Sequence, residues 1–316
     1  MKRALLFLPT IVSMMAISSA QSQTVELQVE SLRVSVRNLD AILRNPNPAY
    51  FPDSVYFAGA RIPTENPMVR RKLMEAIRFY VGSTRDRERF GSYLIEMRYY
   101  GRYWDSVFSA AGLSTDYTSI PIVESAMNPR ARSRAGAVGF WQLMRGTGRG
   151  CGLRIDARVD ERRNLERSAR CAIAHLLRSD SIFGDPILNL AAYNKGNSGV
   201  REALRMSGAN SFYEAVFVKR DGAFVTETMN YPYRVIAANL VRRNPELYFV
   251  RNIPEDPPSF NLVIYEARRA TTIIEIARFF GVSAGIFLDK NPQFETNRVP
   301  PGRYIIAVPR VAAPQE

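Results

Sequence analysis

The chain has 316 residues, 46% of them hydrophobic, enough to bury a sizeable core and to divide into one large domain and one small one. Its formal net charge is +13, from 43 Lys and Arg against 30 Asp and Glu. One histidine and two cysteines leave nothing from which to build a zinc-ligand cluster or a Ser-His-Asp set, so no metal or other cofactor is expected.

Residues 1–20 have the form of a secretory signal: Lys2 and Arg3, an apolar run over residues 4–17, then Ser18-Ser19-Ala20 before Gln21. The run is short for a bilayer span and is interrupted by Pro9, Thr10 and Ser13, which favours cleavage over a retained anchor. No Cys follows the small residues, so a lipoprotein anchor is not supported, and no later segment is apolar enough to span a membrane. The expected fate of the chain is export. Export argues against nucleic acid as the partner of the basic surface; an anionic polymer fits it, as does the plainer reading of scattered arginines on a solvated face. No stretch identifies a protein partner.

Residues 21–64 read as an N-terminal arm, with short alternating patterns at 25–29 and 32–36 before Asn45-Pro46-Asn47-Pro48 breaks any regular element. From Pro67 the spacing predicts helix: Leu73, Ile77 and Tyr80, then Tyr93, Met97, Tyr100 and Tyr103, recur at three- and four-residue steps. These aromatics read as core rather than as a ligand platform. Trp104, Val107 and Phe108 continue the face until Gly112, a helix stop.

The region to about residue 250 reads as nearly all helix. Asp116 or Ser119 begins a helix carrying Glu124, and Asn128-Pro129 ends it. Residues 133–139 are small and flexible, suited to close approach of backbone to a ligand. Residues 140–144 open the next helix, and 165–177 and 187–193 supply two more. Cys151, in a loop, and Cys171, on a helix, are a candidate disulfide in an exported chain, although spacing alone does not prove that they meet. His175 reads as an ordinary helix residue, and Asp160 and Glu161 as structural or solvated.

Glu124 ends the apolar run Ile120-Pro121-Ile122-Val123. A carboxyl held against aliphatic side chains is desolvated in its charged form, so its pKa rises and it stays available as a general acid near neutral pH. Four ordered motifs accompany it: Glu124-Ser125 with Asn128-Pro129; Gly139-Phe140-Trp141-Gln142-Leu143-Met144 with Gly146-Thr147-Gly148; Ala191-Ala192-Tyr193-Asn194-Lys195-Gly196; and a tyrosine near Tyr231. Together they resemble the Slt-type lytic transglycosylases, lysozyme-like enzymes that cleave peptidoglycan, and look most like the membrane-bound transglycosylase D group.

The resemblance implies a mainly α, lysozyme-like catalytic domain over residues 65–250, whose one β-hairpin falls at 133–139. It implies that Glu124 is the single catalytic acid, and that Ser125, Ser133, Gln142 and Met144 line the glycan cleft. Tyr193 and Asn194 match the third motif, whose tyrosine hydroxyl approaches and orients the catalytic carboxylate. Tyr231 matches the final tyrosine, with Tyr233 as a substitute. The implied reaction needs no second carboxylate. Glu124 protonates the glycosidic oxygen, the substrate's N-acetyl group supports the oxocarbenium-like centre, and the sugar's 6-hydroxyl attacks to leave a 1,6-anhydro-muramoyl end. The chain departs from the pattern at Phe140-Trp141, at Arg145 where proline is usual, and at Lys195, departures that bear on substrate preference more than on activity.

Residues 251–259 contain three prolines, Pro254, Pro257 and Pro258, and read as a semi-rigid linker. Beyond it a strand at 260–265, helices at 272–280 and 284–289, and a strand at 304–308 make a β-α-α-β unit over residues 260–310. Thr272, Ile276-Ala277, Val282-Ser283, Asn291-Pro292 and Pro301-Gly302 resemble a LysM domain, a module that binds N-acetylglucosamine glycans; Ala270-Thr271 stands where Gly-Asp is usual. A docking domain with no glycan role is the other reading of this unit. Two functional classes follow: an exported enzyme acting on peptidoglycan glycan strands, or a binding protein on a degenerate transglycosylase fold. A hydrolysing muramidase on the same fold is a variant of the first.

Overall fold

The computed structural model describes residues 51–219, 224, 226–248, 250 and 260–309. The signal segment, residues 21–50 of the arm, the linker at 251–259 and residue 310 lie outside the described residues.

The described part begins with a short hairpin, β1 (Val55–Phe57) and β2 (Ala60–Ile62). Val55, Phe57 and Ile62 are buried in the main core, Phe57 meets Tyr117 edge-on at 5.2 Å, and the Ala58 amide donates to Asp116 at 2.7 Å. Residues 51–64 therefore belong to the large domain rather than to an arm. Apolar residues alternate there, as a half-buried strand requires.

Helix α1 (Pro67–Val81) starts at Asn66, whose side chain accepts from the Met68 amide, with Pro67 in the first turn. Helix α2 (Thr84–Ala110) joins both predicted aromatic groups into one 27-residue element. A 3-10 turn (Thr115–Ser119) leads into the six-residue α3 (Ile120–Ser125). Then come α4 (Arg145–Gly150), α5 (Leu165–Phe183), α6 (Pro186–Lys195), α7 (Asn197–Ser207) and α8 (Thr226–Arg243). Helix α8 lies at the centre, touching α1, α3, α6 and the 115–119 turn. Cys151 and Cys171 are bonded, tying the end of α4 to α5. The architecture is mainly α with small antiparallel pairs. No helix among the described residues is long and apolar enough to cross a membrane.

A second, smaller core gathers Ile273, Ile276, Phe287, Phe294, Val299 and Ile306. Strands β3 (Phe260–Ala267) and β6 (Gly302–Pro309) pair antiparallel from Phe260 opposite Pro309 to Ala267 opposite Gly302. Helices α9 (Ile273–Phe279) and α10 (Ala284–Lys290) lie between these strands in the chain, in the predicted β-α-α-β order, and share a core with the sheet. Two short strands, β4 (Thr271–Thr272) and β5 (Arg298–Val299), add a pair that the sequence pattern does not reveal. Thr272 caps α9 in a reciprocal arrangement with Glu275. Asn291 is fully buried and bonds both the amide and the carbonyl of Ala307, which fixes α10 to β6.

Candidate active site

Glu124 sits near the end of α3, and the chain reverses immediately after it. Ala126 and Met127 both have left-handed backbone, at φ 51° and 63°. Such a conformation costs about 1–2 kcal/mol for a residue bearing a Cβ, and here it is held by burial of Met127 and by the Met127 amide bonding Pro121 O at 3.2 Å. Strain of this kind concentrates at functional sites. The reversal keeps Glu124 at the end of its helix, against α8.

Tyr231 on α8 donates its hydroxyl to Glu124 Oε1 at 2.6 Å. Loss of water around the carboxyl pushes the Glu124 pKa up to about 7; the Tyr231 hydrogen bond works against that rise, and the negative charge of Glu227 adds to it. Glu124 is thus divided between acid and base near neutral pH. Burial, with the Glu124 charge adding to it, raises the Tyr193 and Tyr231 hydroxyls well above the ordinary phenol value, so both stay protonated.

Tyr193 does not bond the carboxylate as the resemblance implies. Its hydroxyl donates to the carbonyl of Trp141 at 2.8 Å, while its ring lies parallel to Tyr231 at 6.5 Å. The tyrosine that meets Glu124 is Tyr231. Tyr193 instead links α6 to the peptide just before Gln142. Tyr233 points elsewhere, into the core beside Phe212, 6.2 Å ring to ring.

Gln142 does not open a helix. Residues 138–143 form a tight turn in which Val138 and Leu143 exchange backbone hydrogen bonds, and α4 begins only at Arg145. Gln142 has φ 46°, an uncommon conformation for a side chain that large. Its neighbours explain the turn. Phe140, Trp141 and Leu143 are all buried, with Trp141 stacked on Phe108 at 5.3 Å and in edge contact with Trp104 at 5.2 Å. Burying apolar side chains of this size stabilises by roughly 2–3 kcal/mol each, so three anchored neighbours force the residue between them outward. Its amide nitrogen then bonds Gly139 O at 2.8 Å and Ala131 O at 3.3 Å, which holds the side chain by one end.

The remaining predicted site residues divide. Ser125 is only 8% exposed, and its hydroxyl lies within bonding distance of Pro121 O and Phe140 O, so it fastens α3 to the Gln142 turn instead of facing a glycan. Ser133 accepts from the Ala137 amide and closes its own turn. The 132–143 region is held by β-bridges between Arg132 and Val138 and between Val138 and Leu143. Met144 is 45% exposed, an apolar side chain left facing water at the start of α4. Asn194 accepts from Thr228 at 2.8 Å and donates to Glu227 at 3.4 Å, joining α6 to α8 one turn before Tyr231.

Two contributors, Glu227 and Arg162, escape the sequence reading. Glu227 is a second carboxylate near Glu124; its four-residue spacing from Tyr231 on one helix was the available signal. Asp160 and Arg162 form a buried ion pair at 2.6 Å, and Arg162 also donates to Gly136 O and Leu143 O at 3.0 and 3.1 Å. Asp160 is structural, as its loop position suggested, and the pair fastens the Gln142 turn from behind. Gly139 has the same cause: at φ 85° a Cβ there would stand 2.1 Å from the Arg162 carbonyl. The small residue serves close approach of two backbone segments, not of a ligand.

Residues 114–216 match the family model described as the transglycosylase SLT domain. Over 169 residues the chain is 31% identical to the membrane-bound lytic murein transglycosylase D of Escherichia coli strain K12, and equally to the protein of that name from Escherichia coli O6:H1. Those alignments cover 52% of this chain and 36% of the relatives, so the chain spans little more than a third of their length. A solved structure of an inactive mutant of lytic transglycosylase Slt from Pseudomonas aeruginosa is similar at 26% identity and a TM-score of 0.38, over 48% of this chain and 24% of that one. The matched window holds Glu124, the Gln142 turn and Tyr193-Asn194; Tyr231 lies beyond it. The Slt-type resemblance of the motifs is met by the family model, and the curated relatives bear the name of the D group.

Proposed function

We propose that the chain is a peptidoglycan lytic transglycosylase, cleaving the β-1,4 bond between N-acetylmuramic acid and N-acetylglucosamine without consuming water. The observation that carries this reading is the Glu124 carboxyl, poised at about pH 7 and oriented by Tyr231, within a segment that matches the SLT domain. In its protonated form Glu124 delivers a proton to the glycosidic oxygen as that bond breaks. The muramoyl N-acetyl group supports the positive charge at the anomeric carbon. The carboxylate left behind then takes the proton of the sugar's own 6-hydroxyl as it attacks that carbon, which closes the 1,6-anhydro ring and restores the acid. Glu124 acts twice, which suits a pKa near the working pH.

Gln142, half-buried, and Met144, exposed, are proposed to contact the glycan, with Ser133 and Asn194 at the edges. Ser125 and Tyr193 support that surface from within. The signal-like residues 1–20 place the enzyme, on this reading, in the bacterial envelope, where its basic surface meets the stem carboxylates of the wall. The C-terminal unit is read as LysM-like in order of elements.

A specific feature favours a second reading. Glu227 brings another carboxylate near Glu124, and hydrolysing glycosidases use a carboxyl pair. That enzyme would be a muramidase. Mass spectrometry of soluble products released from bacterial sacculi separates the two, with Glu124→Gln as the control. Anhydro-muropeptides from the wild type alone support the transglycosylase. Reducing ends, heavier by one water, make the protein a muramidase, and absence of products with protein bound to sacculi makes it a binding protein.

A further inference from the structure

We propose that the C-terminal β-α-α-β unit is a fixed buttress of the Gln142 turn, so that its docking on the helical domain sets turnover and not merely attachment to the wall. The first observation is the sheet. Along β3, Val263 and Tyr265 pack on the unit's own core, while Phe260 and Leu262, on the opposite face, pack on the main core. The strand is thus covered on both faces at its Phe260 end, while Ile264, further along the docking face, is 60% exposed. Tyr99 on α2 completes the contact, stacked on Phe260 at 5.3 Å with the Lys290 ammonium 4.0 Å above its ring.

The second observation is a shared strand-like edge. Val159 bridges Phe294 and is buried within the small core, although it belongs by sequence to the loop before α5. The Asp160 amide donates to Gln293 O at 2.8 Å and the Glu295 amide to Arg158 O at 2.9 Å. Arg163 pairs with Glu295 at 2.5 Å, and Asn164 bonds Ile305 O at 2.8 Å.

These contacts converge on the two supports of the Gln142 turn. On one side, Asp160 holds Arg162, which bonds the carbonyls of Gly136 and Leu143. On the other, Arg130 donates to Leu288 O at 2.8 Å, and its neighbour Ala131 accepts from the Gly139 amide and from Gln142. The unit therefore grips residues 130 and 158–164, and the turn is strung between them. A module that only tethered the enzyme to the wall would need none of these bonds.

The test uses the full chain with Leu262→Asp, which loads the docking face and spares the unit's own core, and Glu295→Arg, which reverses one partner of the Arg163 pair. The charge-swapped Arg163→Glu/Glu295→Arg chain is the rescue. The first readout is hydrogen exchange. The amides of Val138 and Leu143, bonded within the turn, and of Gly139, bonded to Ala131 O, should exchange at least about tenfold faster in both single variants, with α1 and α5 unchanged and the swap restored.

The second readout, which rests on the proposed function, is cleavage of a soluble glycan fragment too short to need a wall-binding module. Here kcat should fall by about tenfold, with KM nearly unchanged, because the unit orients the cleft without binding the fragment. Wild-type exchange at the three turn amides, in a chain whose Asp160 and Glu295 amides have lost protection, overturns the proposal. So does a loss seen only in KM or only on sacculi. If Leu262→Asp also exposes α1 and α5, Glu295→Arg and its swap decide. If the wild type cleaves no glycan, the proposed function fails and the exchange readout still decides this one.

Discussion

Glu124 and Asp160 are two carboxyls withdrawn from water on either side of the Gln142 turn, and they differ in what the fold sets beside them. Glu124 receives a neutral hydroxyl from Tyr231, one hydrogen bond with no positive charge, and its pKa climbs to about 7. Asp160 receives the Arg162 guanidinium through two side-chain bonds and is buried as an ion pair. At Glu124 the neutral partner leaves the cost of burying charge in the carboxyl as a raised proton affinity, whereas at Asp160 an opposite charge stands directly against the carboxylate. On the proposed function, the group that exchanges protons has the weak partner, and the group that holds a turn has the strong one.

The contrast can be broken at either end. Glu124→Gln removes the exchangeable proton and should lower turnover on sacculi by ~10³-fold or more, read as soluble muropeptides, while leaving the fold intact. Arg162→Met strands a buried carboxylate and should cost about 3–5 kcal/mol of stability in urea titration, much of it recovered when Asp160→Asn is added. Replacing Cys151 and Cys171 by serine should cost about 3 kcal/mol, because their bond closes a loop of some twenty residues in the unfolded chain. That loss spares the Glu124 environment, and the pH profile of activity should keep its shape.

Two smaller effects sharpen the comparison. The folded-state pKa of Glu124 lies above its unfolded value, so the native chain binds more protons and loses stability as pH rises from about 4.5 to about 7. Glu124→Gln should therefore melt higher than the wild type at about pH 8, by on the order of 2 kcal/mol, and nearly together with it at about pH 4. Tyr231→Phe removes a bond that favours the ionised carboxylate. The Glu124 pKa rises further, so the alkaline limb of the rate profile moves to higher pH while kcat falls by about tenfold through lost orientation. A limb that moves to lower pH would reverse the assignment of the hydroxyl.

Much of the site was legible because its chemistry is local. An acid closing an apolar run forecasts a raised pKa, and the run, the acid and the short helix are consecutive in the chain. The helix from Pro67 follows from three- and four-residue spacing, and the segments read as helix at 165–177 and 187–193 extend in the structure to 165–183 and 186–195, with Asn66, Asn164 and Asp185 as caps that the reading did not name. The turn at Gln142 was not legible. Residues 140–144 have the composition of a helix start, and the pattern cannot tell that Phe140, Trp141 and Leu143 each find a separate place in the core. Ser125 resembles a cleft residue by position alone; only packing turns its hydroxyl inward.

The sequence by itself determined the mainly helical class and the β-α-α-β order of the C-terminal unit, since both rest on neighbours within a few residues. Tertiary structure alone decided that Tyr231, 107 residues from Glu124, meets the carboxyl while Tyr193 turns to the Trp141 carbonyl. It also decided that Arg162 requires Gly139, and that residues 158–164 join the edge of a unit more than a hundred residues on. The reason is directional. A hydrogen bond needs two atoms within about 3 Å at a set angle, and across such separations their placement is the outcome of every contact in between.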